Sequence, residues 1–402
     1  MTTGRVGRVA WSAAPATAAA AGLAAGSLGV ASYVLRRFTS LAERLDDVDV
    51  VAVEPDAVEL SLTDETVAPG LYGLWLDGGN GHARVGDVLA VDRAAGRVRR
   101  RLILVDAGEL RLGRARWNIY HYGRPPDVSL GLPYEDVTYA SELGEVPAWL
   151  VRGDPAGRLA GRNRWAVLVH GRGAQRQECL RAVPIAYALG ITSLVISYRN
   201  DVGAPASPDR RYGFGLSEWR DVDAAMGHAL AAGAKSLDLV GWSMGGAMVL
   251  QAAARSRYAD AVRHVVLDAP VVDWADVIRH HVALGKVPAA IGHLAPHVLR
   301  SRGARTLVGV GAPLDLVEAD WVLRSADLRH PTLLIHSIHD EFVPVGPSIA
   351  LATARPDLVR FEPWKTARHT QEWNTEPERW GRVVRGFLCA EGFPSSLGHS
   401  MG

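Results

Sequence analysis

Gly241-Trp242-Ser243-Met244-Gly245-Gly246 stands between a short apolar run, residues 237–240, and a segment of helical period, residues 244–255. The reading that follows is strand, tight turn, helix. A serine at the apex of such a turn needs bare backbone two residues to either side, and Gly241 and Gly245 supply it. The turn lifts the Ser243 hydroxyl out of the sheet. The N-terminus of the next helix favours negative charge developing beside it. The plainer role for Ser243 is a helix N-cap, but the strand–turn–helix setting favours a nucleophile.

Working outward, residues 165–169, 192–197, 263–267 and 332–336 are further short apolar runs without alternation. Strands buried on both faces look like this. Their alternation with helices at 176–189, 216–232 and 377–389 implies a doubly wound, mostly parallel sheet. Residues 271–329 form an extra, mostly helical cap insertion. Upstream the pattern differs. Residues 71–76, 83–91 and 97–105 are strands joined by Gly/Asp/Asn-rich turns, which supply the positive φ that hairpins need. The expected class is therefore α/β, preceded by a small antiparallel β domain. Its divisions are an Ala-rich segment 1–44, a β-rich domain 45–130, a sheet domain 131–390 and a flexible tail 391–402. Pro125-Pro126 marks the linker, and Arg97, Arg99, Arg100 and Arg101 are expected on a solvated strand face.

The 402 residues include 44 Lys+Arg and 43 Asp+Glu, for a net charge of +1, with 48% hydrophobic residues. A chain so balanced is globular, and it has no electrostatic reason to bind nucleic acid. Its two cysteines, Cys179 and Cys389, exclude a disulfide scaffold and a cysteine-built zinc site. Residues 12–35 carry no charge and are long enough to span a bilayer, but ten of them are Ala, which contributes little transfer free energy. Membrane association through this segment and a cytoplasmic location both stay open, with secretion less favoured. Oligomeric state is not legible.

Tyr198-Arg199-Asn200-Asp201, Glu218-Trp219-Arg220-Asp221-Val222 and the Gly241–Gly246 turn together resemble the α/β-hydrolase superfamily, in its prolyl-oligopeptidase-like and serine-aminopeptidase-like branches. The resemblance covers residues 134–389. It implies a Ser-His-Asp triad in the chain order serine, acid, base. Asp340, in Asp340-Glu341-Phe342-Val343-Pro344 after the strand 332–336, matches the acid; Asp268 is the runner-up. The base must follow, and only His369 and His399 do. His369 lies in a polar loop before the last helix, where the superfamily places its histidine. The oxyanion donors implied are the backbone N–H groups of Arg172, in His170-Gly171-Arg172-Gly173, and of Met244.

Trp242 and Tyr198 are candidate pocket residues, against core packing as the default for buried aromatics. Arg172 could meet an acidic substrate group, although a paired arginine is commoner. His336, His339 and Asp340 read poorly as metal ligands, and no glycine-rich phosphate loop occurs, so neither metal nor cofactor is expected. His280, His281, His293 and His297 are expected on a lid or surface. The expected activity is hydrolysis of a small-molecule carboxylic ester. The alternatives are a peptidase or amidase of the same fold, and a catalytically idle binding protein.

Overall fold

The computed structural model describes residues 14–41 and 45–390, with side chains from residue 25 onward. Residues 1–13 and 42–44 of the Ala-rich segment and the tail 391–402 therefore lie outside what is described.

Six antiparallel strands close into a barrel: β1 (Val48–Val53), β2 (Ala57–Ser61), β3 (Tyr72–Leu76), β4 (Gly81–Asp92), β5 (Arg97–Ala107) and β6 (Gly113–Asn118), in the order β1-β2-β5-β4-β3-β6. Closure removes the exposed edges that a small open sheet would present. Val50, Val58, Leu60, Tyr72, Leu74, Val85, Val98 and Trp117 fill the interior. Alternation along β5 places Val98 and Arg100 inward, so Arg100 is buried and leaves the expected solvated face. Its guanidinium donates to the carbonyls of Thr66, Ala68, Gly70 and Gly86, and lies over the rings of Tyr72 and Trp117 at 5.2 and 5.0 Å. Burial pushes it down to about 10, which leaves it charged at neutral pH.

Beyond the short helix Pro126–Leu130, which begins where a bare linker is expected, eight strands form the second sheet. They are β7 (Glu135–Ser141), β8 (Gly144–Val151), β9 (Arg164–Val169), β10 (Thr192–Ile196), β11 (Ser236–Trp242), β12 (Val262–Asp268), β13 (Thr332–Ser337) and β14 (Val359–Trp364). Their order is β14-β13-β12-β11-β9-β10-β8-β7. The pairs from β14 to β10 are parallel; β8 joins β10, and β7 joins β8, antiparallel. Strands β9 and β13 are buried at every position, as runs covered by helices on both faces must be.

Helices Trp219–Ala231 and Met244–Arg255 cover one face, and Val183–Leu189 and Pro377–Leu388 the other. The helix expected at 176–189 is broken: Arg176–Arg181 is 3-10, and Pro184 sits in the first turn of a separate helix. A proline has no N–H to donate and clashes with the preceding turn, so it starts a helix and does not continue one. The insertion is helical, with Trp274–Leu284 and Ala289–Arg300 as its main elements.

The N-terminal helix Ala14–Thr39 ends on this cap. Leu35 and Phe38 are buried in the main core, and Arg36 donates to the carbonyls of Thr306 and Leu307. Among the described residues no helix is long and apolar enough to cross a membrane.

Candidate active site

Ser243 occupies the turn between β11 and the helix Met244–Arg255 at φ 51°, ψ −118°, a left-handed backbone that a side chain rarely adopts. The turn is tight enough that a Cβ on Gly241 would lie 2.5 Å from the Gly245 carbonyl oxygen. A Cβ on Gly245 would lie 2.2 Å from Val169 O, at the end of β9. Both glycines are thus steric requirements of the turn. The Ser243 side chain makes no capping bond to its helix. Its Oγ lies 2.9 Å from His369 Nε2.

His369 hangs on the loop between β14 and the final helix, and its Nδ1 lies 2.6 Å from Asp340 Oδ2. Asp340 follows β13. Its Oδ1 accepts from the backbone N–H groups of Phe342 and Val343, both at 2.8 Å, and Oδ2 also meets His336 Nε2 at 3.0 Å. Burial opposes its charge, but the two imidazoles outweigh burial and hold the Asp340 carboxyl well below the usual carboxylate range. His369 moves the other way. Burial disfavours its cation, yet the Asp340 carboxylate raises the imidazole above its ordinary 6.5.

The loop after β9 passes directly beside the serine: a Cβ on Gly171 would lie 3.1 Å from the Ser243 Cβ. The loop is pinned on several sides. Gly171 N donates to Glu178 Oε2 at 2.6 Å, Gly171 O accepts from the Tyr198 hydroxyl at 2.8 Å, and Gly173 N donates to the Tyr212 hydroxyl at 3.0 Å. The His170 ring stacks on Tyr198 at 4.4 Å and bonds Asp201 at 2.8 Å. Of the two residues expected to offer backbone N–H groups, Arg172 follows Gly171 on this loop and Met244 opens the helix after Ser243.

Two expected pocket residues are elsewhere. Tyr198 is fully buried behind the loop, where its hydroxyl is spent on Gly171. Trp242 is fully buried in the core on the other face of the sheet, stacked on Trp380 at 6.3 Å with Arg181 over its ring. Alternation across β11 sends neighbouring side chains to opposite faces, which separates Trp242 from the cap. The Arg172 guanidinium is also committed: it donates to Phe38 O at 3.2 Å and lies over the Phe38 and Tyr212 rings.

Residues from the cap and the N-terminal helix pack toward His369 instead. His281 Nε2 bonds Phe342 O at 2.9 Å, and its ring packs between Phe342 at 4.6 Å and Phe38 at 5.2 Å. Phe342 in turn packs on His369 at 5.2 Å. His280 bonds Glu341 O, whereas His293 and His297 are exposed. Asp268, the runner-up acid, lies under the site. Its backbone oxygen accepts from Ser243 N at 3.0 Å, while its carboxyl group meets that of Glu372 and accepts from Trp380 Nε1. Among the described residues no group of three acids, histidines or cysteines could hold a metal ion.

Residues 167–286 match the family model described as alpha/beta hydrolase fold. The chain contains an α/β-hydrolase domain. Residues 49–118, the barrel, match a domain of unknown function, DUF8805. No curated protein matches the sequence. Among solved structures, an esterase from Pyrococcus furiosus is similar at 17% identity and a TM-score of 0.49, over 66% of this chain and 93% of that one. A thermophilic esterase from Thermogutta terrifontis is similar at 19% identity and 0.42, over 63% and 98%. An acylaminoacyl peptidase from Pyrococcus horikoshii is similar at 16% identity and 0.49, over 89% and 58%. The hydrolase domain carries the serine turn, the acid loop and the histidine loop at the carboxyl ends of its strands, where open α/β sheets bind ligands.

Proposed function

We propose that the protein is a serine hydrolase that cleaves a small-molecule carboxylic ester through an acyl-enzyme on Ser243. The observation that carries this reading is the unbroken hydrogen-bonded path from Ser243 Oγ through His369 to Asp340.

In this reading His369 Nε2 takes the Ser243 proton as Oγ attacks the ester carbonyl. The carbonyl π electrons move onto oxygen, and the oxyanion is held by the N–H groups of Arg172 and Met244. Asp340 stabilises the imidazolium. The tetrahedral intermediate collapses, the carbon–oxygen bond to the alcohol breaks, and His369 returns the proton to the leaving oxygen. Water then attacks the acyl-enzyme with the same proton path, and Ser243 and the carboxylic acid are released. Glu65 and Glu341, which flank the His369 loop, are both held by Arg368, which supports an ester over a peptide with a free amino terminus.

The test is labelling of the folded chain with a fluorophosphonate probe, wild type against Ser243→Ala. Hydrolysis of p-nitrophenyl esters of increasing acyl length against aminoacyl and peptidyl nitroanilides follows. Labelling confined to the wild type with preference for esters is the expected result. A folded wild type that does not label would return the domain to a binding role.

A further inference from the structure

The loop that carries His369 is held from two sides, and one of them is the barrel. Asn374, five residues on, is fully buried and joins the two. Its Oδ1 accepts from Arg181 of the hydrolase domain at 3.1 Å. Its Nδ2 donates to two barrel-side carbonyls, Leu71 O at 2.5 Å and Ile119 O at 2.8 Å, and its own backbone oxygen accepts from Leu71 N at 2.9 Å. An amide with donors and acceptors both used on fixed partners has a single orientation.

Between His369 and Asn374, Gln371 Oε1 lies 2.9 Å from the Tyr72 hydroxyl, which is 3.1 Å from Pro69 O as well, and Gln371 Nε2 donates to Glu65 at 3.1 Å. On the other side of the histidine, Arg368 pairs with Glu65 at 2.9 Å. Trp373 packs on His121 and Tyr122 at 5.9 and 5.5 Å. The fit is close enough that a Cβ on Gly70 would lie 2.0 Å from Asn374 O. The barrel's side of this contact is stiff. Buried Arg100 holds the carbonyls of Thr66, Ala68 and Gly70 and stacks on Tyr72, so the 66–72 segment is fastened to β5.

We infer that the barrel is a positioning part of the catalytic site: through Tyr72, Leu71 and Ile119 it fixes Gln371 and Asn374, and so sets the His369 imidazole against Ser243. The hydrolase domain contributes only part of what holds this loop, notably the Arg181 bonds to Thr370 O and Asn374 and the Ser337 bonds to Ala367 and Glu372. Misplacing a catalytic group by about 1 Å costs roughly a hundredfold in rate, so a loosened loop is read in catalysis before it is read in binding.

The inference rests on His369 being the base, and the experiment separates the two. In the full-length chain, Tyr72→Phe removes one hydroxyl and keeps the ring against Arg100 and Trp117. Asn374→Asp keeps an oxygen for Arg181 and removes the donor to the barrel carbonyls. Each folded variant is expected to lose about tenfold in kcat for a p-nitrophenyl ester and in the rate of fluorophosphonate inactivation, with KM changed less than twofold. Tyr72→Phe and Gln371→Met should together lose less than the product of their separate losses, since they share the Tyr72–Gln371 bond. Should either variant fail to fold, the other carries the test. Wild-type inactivation rates in folded Tyr72→Phe or Asn374→Asp, with His369→Ala inactive, would overturn the clamp and leave the base in place. A His369→Ala chain that reacts as fast as wild type would overturn both.

Discussion

His336 Nε2 stands 3.0 Å from the Asp340 oxygen that His369 Nδ1 reaches at 2.6 Å, so two imidazoles share one carboxylate oxygen. His336 also meets Ser348 Oγ through Nδ1 at 2.8 Å and Val343 O through Nε2 at 3.1 Å. With Val343 O and the Asp340 carboxylate as acceptors, His336 Nε2 carries a proton. It therefore donates to Asp340. A hydrogen bond to a charged group is worth about 1.5–3 kcal/mol. His336→Leu is expected to lower kcat roughly tenfold in steady-state ester hydrolysis, with Asp340 less well fixed. An unchanged kcat in the folded variant would reduce His336 to packing.

The pH profile follows from His369. In the proposed mechanism the base works only when neutral, and the Asp340 carboxylate raises the His369 imidazole above 6.5 against the effect of burial. Activity should therefore rise with pH, and the acid limb of kcat/KM should have its midpoint above 6.5. Asp340→Asn removes the charge that raises the imidazole. Its midpoint should fall, and its plateau should drop by about 10⁴-fold through loss of the correct tautomer. A wild-type midpoint well below 6.5 would contradict the arrangement.

Beneath the triad, Asp268 and Glu372 share a hydrogen bond in a floor without solvent, and burial pushes both carboxyls up, Glu372 the further. Two carboxyls in contact without solvent favour holding one proton between two oxygens. Ser337 N and Trp380 Nε1 take up further oxygens, and Arg181, Glu178 and Asp340 are the charges nearby. A carboxyl whose folded pKa is raised binds its proton more tightly folded than unfolded. Its contribution is full below the unfolded pKa and is lost as pH rises through the folded one. Glu372→Gln keeps a donor without a titrating proton. The difference in melting temperature between this variant and wild type should shift in the variant's favour as pH rises from about 5 to 9. A pH-independent difference would mean that the pair is already ionised.

The parts of the site that rest on local chain chemistry were legible. Gly241 and Gly245 announce the serine turn because steric exclusion there is a property of adjacent residues, and the resemblance pointed to Asp340 and His369 by order and setting. What stayed hidden depends on which face a residue takes or on partners far along the chain. Trp242 and Ser243 are neighbours whose side chains part across the sheet. Arg100 looks like one more arginine of a solvated run until closure of the barrel turns it inward. The partners of Asn374 are Leu71, Ile119 and Arg181, and nothing local to Asn374 names them. The barrel itself was visible as hairpins, but its grip on the histidine loop was not.

The N-terminal helix offers the last test. The Phe38 ring lies 5.2 Å from His281 and 6.5 Å from Trp274, while its carbonyl accepts from the Arg172 guanidinium. From there the rings run through His281 and Phe342 to His369, so the proposed reading expects the end of this helix to border the acyl group. Removing a buried phenylalanine ring costs about 3–5 kcal/mol, so Phe38→Ala should melt at a visibly lower temperature. It should also shift selectivity. Relative to wild type, kcat/KM for an octanoyl ester should gain on that for an acetyl ester by about fivefold, because a pocket ring is worth about 1 kcal/mol or more in acyl discrimination. Phe38→Leu, which keeps most of the volume, should lie between the two. If Phe38→Ala lost stability but left the acyl-length profile unchanged, the helix would be packing for the cap and no part of the substrate wall.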